Sequence, residues 1–145
     1  MKVRCINNTG ISLRPYEYEP IINKDFFGRF GVSEMGEYDI EIGKEYLVMG
    51  LFIFQTYQAY LLDSNGLIAT YPCQLFEITE SIVNSNWHFR LTERSEDIYP
   101  FVQAIFGYPE LCSDRQAYEN LLVEMEDDAQ QIYFKRKIEL ENEST

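Results

Sequence analysis

The amino-acid sequence predicts an α+β fold, in which a small, strongly bent antiparallel β-barrel precedes a short helix and a long amphipathic C-terminal helix. Strand-forming patterns dominate residues 1–91, whereas helical patterns dominate residues 97–137. An Asn-Gly turn between two strand-like segments indicates a hairpin within the first part. Because the chain has 145 residues and no linker or internal repeat, we expect a single domain over residues 1–145, with residues 138–145 as a frayed tail.

The strands of the predicted barrel follow from composition and from turn residues. A short strand at residues 2–6 precedes a turn-rich loop over residues 7–36. Residues 38–42 alternate in polarity, and residues 44–54 are rich in β-branched and aromatic side chains, which suit a half-buried pleated surface. Residues 87–91 alternate between aromatic or apolar and polar side chains, so they predict one further strand.

The predicted hairpin joins residues 57–62 to residues 67–71, because Asn65-Gly66 supplies the positive φ values that a tight turn requires. Pro72 has no N–H to donate, so it should interrupt the ladder before a short last strand. The pattern Tyr71-Pro72-x-x-Leu75-Phe76-Glu77-Ile78 resembles the closing turn and final strand of Src-homology-3-like barrels. That resemblance implies a barrel of this kind.

Two helices are predicted after residue 91. Residues 97–106 should form a short helix that ends before Gly107, and a long helix should begin at Ser113, where Gln116 completes a capping box. The basic residues 135–137 suit the negative end of the helix dipole. The apolar positions of the long helix have the spacing of one buried face: Tyr118, Leu121, Leu122, Met125, Ala129, Ile132 and Tyr133.

The charge of the chain restricts the partners it can bind. There are 24 acidic and 12 basic residues, which give a formal net charge of −12. Seven carboxylates lie between residues 110 and 128, against one cation, Arg115. Such a surface repels nucleic acid and anionic lipid and attracts basic partners. We therefore expect a protein that binds a basic protein and binds neither nucleic acid nor membrane.

Two apolar residues interrupt the acidic side of the predicted long helix. Val123 and Phe134 share a ridge with Asp127, and an aromatic anchor ringed by polar groups is common in interface hot spots. We therefore predict that the partner contacts Glu124, Asp127, Asp128 and Phe134. In the alternative interpretation, Phe134 folds back onto the barrel and the acids form a solvated face.

A second acidic and aromatic element spans residues 15–20, with the sequence Pro-Tyr-Glu-Tyr-Glu-Pro. Residues that precede proline avoid the helical region, so we expect this element to be extended. An extended chain would place Glu17 and Glu19 on one side and Tyr16 and Tyr18 on the other. We predict that these four residues also bind the partner; an ordinary edge strand is the alternative.

Patterns typical of catalysis are few. His88 is the only histidine, and no motif places a nucleophile beside it. Cys5, Cys73 and Cys112 are odd in number and never form a Cys-x-x-Cys pair, so we expect reduced thiols rather than a disulfide framework or a zinc site. We expect no enzymatic activity, no cofactor and no metal. A hydrolase that uses two carboxylates is an alternative, because it needs no histidine.

The sequence also predicts a soluble protein of the cytoplasm. The longest apolar run, residues 46–54, has nine residues, whereas a helix that spans the bilayer needs about 20. The first residues lack both the apolar stretch and the small-residue cleavage site of a signal peptide.

Several segments together carry a further resemblance. They are residues 2–8, residues 44–50, the Tyr71–Ile78 pattern, Trp87-x-Phe89 and the Phe106-Gly107-Tyr108 turn. In this combination the chain resembles small acidic immunity proteins of bacterial contact-dependent inhibition and polymorphic toxin systems. The resemblance implies a monomer that forms a 1:1 heterodimer with a cognate toxin domain, commonly a basic nuclease, and neutralises it. The alternative is a β-barrel adaptor or regulatory module without a toxin partner.

Overall fold

The computed structural model describes residues 1–23, 26–83 and 86–143, which contain eight strands and two α-helices. The strands are β1 Lys2–Cys5, β2 Glu45–Leu47, β3 Gly50–Phe54, β4 Gln58–Ser64, β5 Leu67–Pro72, β6 Phe76–Glu80, β7 His88–Leu91 and β8 Val102–Gly107. The α-helices are α1 Pro109–Ser113 and α2 Asp127–Glu143. Short helical turns occupy Ile11–Tyr16, Gly28–Phe30, Cys73–Leu75 and Glu119–Val123, of which the last is π-helical.

The strands form two antiparallel sheets, so the predicted α+β class is confirmed. One sheet has the order β2-β1-β6, and the other has the order β5-β4-β3-β8-β7. This pairing does not show a closed barrel, and the Src-homology-3-like identity stays a prediction. No helix in the described part of the chain is both long and apolar enough to cross a membrane.

The segment predicted as one strand, residues 44–54, is divided between the two sheets. The break falls at two buried residues: the Val48 N–H donates to Met1 O at 3.0 Å and the Met49 N–H donates to Leu61 O at 2.8 Å. The chain therefore passes from the first sheet into the second at this point. The turn Cys73–Leu75 makes a similar connection between β5 and β6.

Two hydrophobic clusters fill the two faces of the larger sheet. Consecutive residues of β4 belong to different clusters, Leu61 to the first and Leu62 to the second, because successive side chains of a strand point to opposite faces. The first core cluster also contains Leu121 and Tyr133, and so it joins the C-terminal helical region to the sheet.

The predicted hairpin is confirmed. Strands β4 and β5 pair up to Ser64 and Leu67, and the two residues between them, Asn65 and Gly66, have φ values of 51° and 83°. Positive φ at both positions is the geometry of a type I′ turn. Strand β5 ends at Pro72, as its missing N–H predicted.

The prediction of a strand at residues 38–42 is wrong. The backbone groups of this segment bond to the N-terminal loop: the Tyr38 N–H donates to Asn8 O at 2.8 Å, and Ile40 O accepts the Asn8 side-chain amide at 2.9 Å. Ile40 is nevertheless buried in the second cluster. The alternation in residues 38–42 therefore accompanies the burial of Ile40 and the hydrogen bonds to the N-terminal loop, and not strand pairing in a sheet.

The prediction of a helix over residues 97–106 is also wrong. Residues 102–107 form β8, which lies between β3 and β7. Pro100 would remove a helical hydrogen bond at that position, and the buried residues Val102 and Ile105 are held by pairing with β3, which is distant in sequence. The strand predicted at residues 87–91 is confirmed as His88–Leu91.

The predicted long helix is interrupted. Ser113 ends α1 instead of beginning a helix, and α2 begins at Asp127 after a turn in which Met125 has a φ of 51°. The turn changes the phase of the helix, so Met125 and Ile132 are 48% and 38% exposed while Tyr133 is buried. Helix α2 runs to Glu143, which corrects the frayed tail for residues 138–143; the rest of that tail lies outside the described residues.

Candidate functional site

The predicted acidic and aromatic element at residues 15–20 is not an extended strand. Pro15 and Tyr16 belong to the helical turn Ile11–Tyr16, and the chain becomes extended only at Glu17, with φ −68° and ψ 150°. The fixed φ of proline near −65° is compatible with such a turn. Tyr16, Tyr18 and Glu19 are all exposed.

Glu17 lies inside this loop and not on its surface. Its side chain is 5% exposed; Oε1 accepts Nη1 of Arg14 at 3.1 Å, and Oε2 accepts the Arg29 backbone N–H at 2.9 Å. Arg14 also donates to Phe26 O and to Val32 O, each at 2.8 Å. Both oxygens of Glu17 are engaged, so the carboxylate stabilises the loop. Its predicted contact with a partner has no support from this geometry.

The loop that the Arg14–Glu17 ion pair stabilises carries an exposed apolar surface that the sequence did not predict. Tyr18 and Phe26 are 78% and 63% exposed, and Ile22 and Phe27 are exposed as well. Tyr18, Ile22 and Phe26 line a shallow depression of about 580 Å³, at which the Arg29 guanidinium stacks 4.4 Å from the centroid of the Tyr18 ring. The signal in the sequence was the Phe26-Phe27 pair inside a turn-rich loop, since such loops are usually polar.

The second predicted site is the acidic turn, which we define as residues 124–128. Its four carboxylates, Glu124, Glu126, Asp127 and Asp128, are exposed and form no ion pair within the described residues. Asp127 and Asp128 also lie in the first turn of α2, where the helix dipole favours negative charge. The acids of this turn are therefore available to a partner.

The predicted partner-binding residues Asp127, Asp128 and Phe134 border two different depressions beside α2. Asp127 and Phe134 border an open depression of about 600 Å³, whereas Asp128 borders a groove of about 210 Å³. Phe134 is half-buried against the first core cluster, with its ring centroid 5.1 Å from that of Tyr133. This partial burial agrees with the alternative interpretation that Phe134 folds back onto the body.

The basic residues of α2 hold this helix against the rest of the fold. Lys137 Nζ lies 2.8 Å from Oδ1 of Asp63, and the Tyr133 hydroxyl donates to the same oxygen at 3.0 Å. Arg136 Nε donates to Oε2 of Glu110 at 2.9 Å and holds the pKa of that carboxyl below its ordinary value. The interpretation of residues 135–137 as a helix-end feature is wrong, because α2 extends beyond them and its last turn has no basic residue.

Most cations of the described residues are neutralised in the same way. Seven of them form ion pairs with carboxylates: Lys2, Arg4, Arg14, Arg90, Arg115, Arg136 and Lys137. The acidic turn keeps its charge, because none of its carboxylates pairs with a cation of residues 1–23, 26–83 or 86–143. Its field is therefore not cancelled locally and can act on an approaching molecule.

Groups with catalytic potential are dispersed. His88 is exposed on β7, and the three cysteines are free. Burial raises the pKa of the Cys5, Cys73 and Cys112 thiols, which lowers their reactivity at neutral pH. Within residues 1–23, 26–83 and 86–143, no group of three or more His, Cys, Asp or Glu side chains is arranged to hold a metal ion.

Comparisons with protein-family models, with curated proteins and with solved structures find no match to this chain. The geometry of its own residues is therefore the basis for a functional proposal.

Proposed function

We propose that this chain is an immunity protein, which binds a cognate toxin domain in the cytosol as a 1:1 complex and neutralises it by occlusion without catalysis. The observation that supports the proposal best is the acidic turn, whose four carboxylates are exposed and unpaired among the described residues. A toxin that cleaves nucleic acid needs a basic active site, because its substrate is a chain of phosphates. The two surfaces would attract each other.

The two candidate surfaces would contribute differently to binding. Exposed charges mainly set the association rate and its salt dependence, so Glu124, Asp127 and Asp128 would guide the encounter. Exposed aromatic anchors mainly set the dissociation rate, and Tyr18 and Phe26 are the anchors that the loop offers. Glu19 is an exposed acid of that loop, whereas Glu17 is engaged by Arg14 and by the Arg29 backbone.

The test uses a candidate toxin domain encoded beside the gene for this chain, co-expressed with it in bacteria. The wild-type chain should restore growth, and the triple variant Glu124→Lys, Asp127→Lys, Asp128→Lys should not. The matched control is Glu37→Lys, Glu41→Lys, Glu45→Lys, which changes three exposed acids elsewhere and shifts the net charge equally. Protection that is lost equally in both variants would reflect net charge alone and would contradict a specific role of the acidic turn.

Purified components test the same proposal kinetically. Association of the wild-type chain with the toxin domain should slow steeply between low and physiological salt, because screening weakens exposed charges. Circular dichroism of the first triple variant should stay close to wild type, and its melting temperature should fall only slightly, because Asp127→Lys and Asp128→Lys remove the favourable charge at the start of α2. A wild-type chain that neither binds nor protects against the toxin domain would favour the alternative, an adaptor without a toxin partner.

We also propose that the two sheets correspond to the bent Src-homology-3-like barrel that the sequence resembles. The support is that the chain passes from the first sheet into the second at Val48-Met49 and back into the first at Cys73–Leu75. An experimental structure whose backbone hydrogen bonds close the sheets into one ring would bear this out, and two separate open sheets would contradict it.

A further inference from the structure

A narrow groove lies between α2 and the segment that runs from α1 to the π-helical turn Glu119–Val123. Its volume is about 210 Å³. Apolar side chains form its floor: Leu111 and Leu121 are buried, and Ile132 is 38% exposed at its side. The groove is therefore a place where a side chain with an apolar stem would lose contact with water.

Carboxylates line the rim of this groove. Asp114, Glu126 and Asp128 are exposed and form no ion pair within the part of the chain that the structure describes. One oxygen of Asp114 accepts the Gln116 N–H at 2.9 Å. This donor is neutral, so it does not cancel the charge of the carboxylate. The fourth carboxylate, Glu110, is already paired with Arg136. Three negative charges thus surround an apolar floor.

The shape of the groove is fixed by the fold. Met125 turns the chain with a φ of 51°, and the Glu126 N–H donates to Asn120 O at 2.8 Å. The Gln130 side-chain amide donates to Met125 O at 3.0 Å and braces the same turn. A preformed site loses less conformational entropy on binding, so these hydrogen bonds favour the binding of a ligand in the groove.

We propose that the groove docks one arginine or lysine side chain of a protein partner, with its stem over Leu121 and Ile132 and its cationic head among Asp114, Glu126 and Asp128. Arginine and lysine are the residues that combine an apolar stem with a cationic head. Charge complementarity at the rim selects the head, and the floor favours the stem. The identity of the partner as a basic toxin rests on the function proposed above, but the binding of such a side chain does not.

The test is a titration of the isotope-labelled full chain with N-acetyl-argininamide, followed by nuclear magnetic resonance. The backbone amides of Asn120, Leu121 and Ala129 should shift and saturate. Two related probes separate the contributions: N-acetyl-citrullinamide keeps the stem and removes the charge, and guanidinium ion keeps the charge and removes the stem. Each should bind roughly fivefold more weakly, as expected from the loss of about 1 kcal/mol. Equal binding of the citrulline probe would overturn the role of the rim.

Two neighbouring residues provide a matched pair of variants. Asp127 and Asp128 both lie in the first turn of α2, but only Asp128 borders the groove. Asp128→Asn should therefore weaken binding of N-acetyl-argininamide roughly fivefold, and Asp127→Asn should leave it within about twofold. Equal weakening by both variants, or shifts away from the groove, would overturn the proposal.

This outcome is distinguishable from that of the co-expression test. A chain that binds the arginine probe in the groove and gives no protection would retain the docking site and lose the toxin proposal. A chain that protects cells but shows no probe binding would retain the proposed function and exclude the groove as the docking site.

Discussion

The loop at residues 14–23 and 26–29 and the acidic turn at residues 124–128 differ in whether a carboxylate is paired inside the fold. In the loop, Arg14 and Glu17 pair in a nearly buried position while Tyr18 and other apolar side chains are exposed. In the turn, the four carboxylates are exposed and form no ion pair within the described residues, and Met125 between them is 48% exposed. The two segments thus present different surfaces, because the loop pairs Glu17 internally and the acidic turn pairs none of its carboxylates with a described residue.

This difference shows that a carboxylate in the sequence is not by itself an available charge. The Glu17 carboxylate accepts hydrogen bonds from the Arg14 guanidinium and from the Arg29 backbone N–H, so it stabilises the loop. Asp128 has neither an ion pair among the described residues nor a cover of apolar side chains, so its charge reaches the solvent. A partner that approaches the protein would meet apolar side chains at one surface and negative charge at the other.

The largest effect is expected where the acidic turn is anchored to the body. Tyr133→Ala should lower the free energy of unfolding by about 3–5 kcal/mol, because Tyr133 is fully buried and donates to Asp63. Chemical denaturation measures this loss. Ile132→Ala, one residue away and 38% exposed, should cost clearly less. Equal losses would mean that α2 does not pack through the face described.

A smaller effect tests the loop side of the comparison. Glu17→Ala should destabilise the protein by about 1–3 kcal/mol, because it leaves the Arg14 guanidinium without its anion in a nearly buried position. Glu19→Ala, in the same loop but exposed, should stay within about 0.5 kcal/mol. If denaturation midpoints show the reverse order, the assignment of Glu17 to the scaffold is wrong.

A pH-dependent effect tests the link between α1 and α2. Arg136 lowers the pKa of Glu110 from its ordinary value of 4.5. Since the folded-state pKa is lower than the unfolded one, the stabilisation is present above pH 4.5 and is lost as the pH falls through the folded-state value. Glu110→Gln should therefore be less stable than wild type at pH 7, by less than about 1 kcal/mol for this partly exposed pair.

The measurement for Glu110→Gln is the melting temperature of variant and wild type across an acid series. The difference between them should shrink as the pH falls below 4.5. A difference that stays constant over that range would contradict an ionic contribution from the pair.

The smallest effect is expected at the acidic turn itself. Glu124→Gln should change the free energy of unfolding by less than about 0.5 kcal/mol, because the side chain is exposed and forms no ion pair within the described residues. Asp127→Asn should cost about 0.3–1 kcal/mol through the helix dipole. A loss above 2 kcal/mol for Glu124→Gln would show that the turn has a structural role, as Glu17 has in the loop.

Local chemistry made parts of the fold predictable. The hairpin at Asn65-Gly66 and the end of β5 at Pro72 depend on φ preferences and on a missing N–H, both of which are properties of single residues. Strand β8 was predicted as a helix, because its β conformation depends on pairing with β3, about fifty residues earlier in the sequence. Val102, Ile105 and Phe106 are themselves residue types enriched in strands, so this pairing agrees with their propensity.

The candidate sites show the same distinction between local sequence properties and contacts that are distant in sequence. The sequence by itself determined that the chain is strongly acidic and that its acids cluster near aromatic residues. Only the tertiary structure decided that Glu17 is paired, that Asp127 and Asp128 border different depressions, and that Phe26 is exposed. The physical reason is that a charged or aromatic side chain is available to a binding partner only if it is exposed and not already paired within the fold. Both are set by contacts between residues far apart in the chain, and composition does not record them.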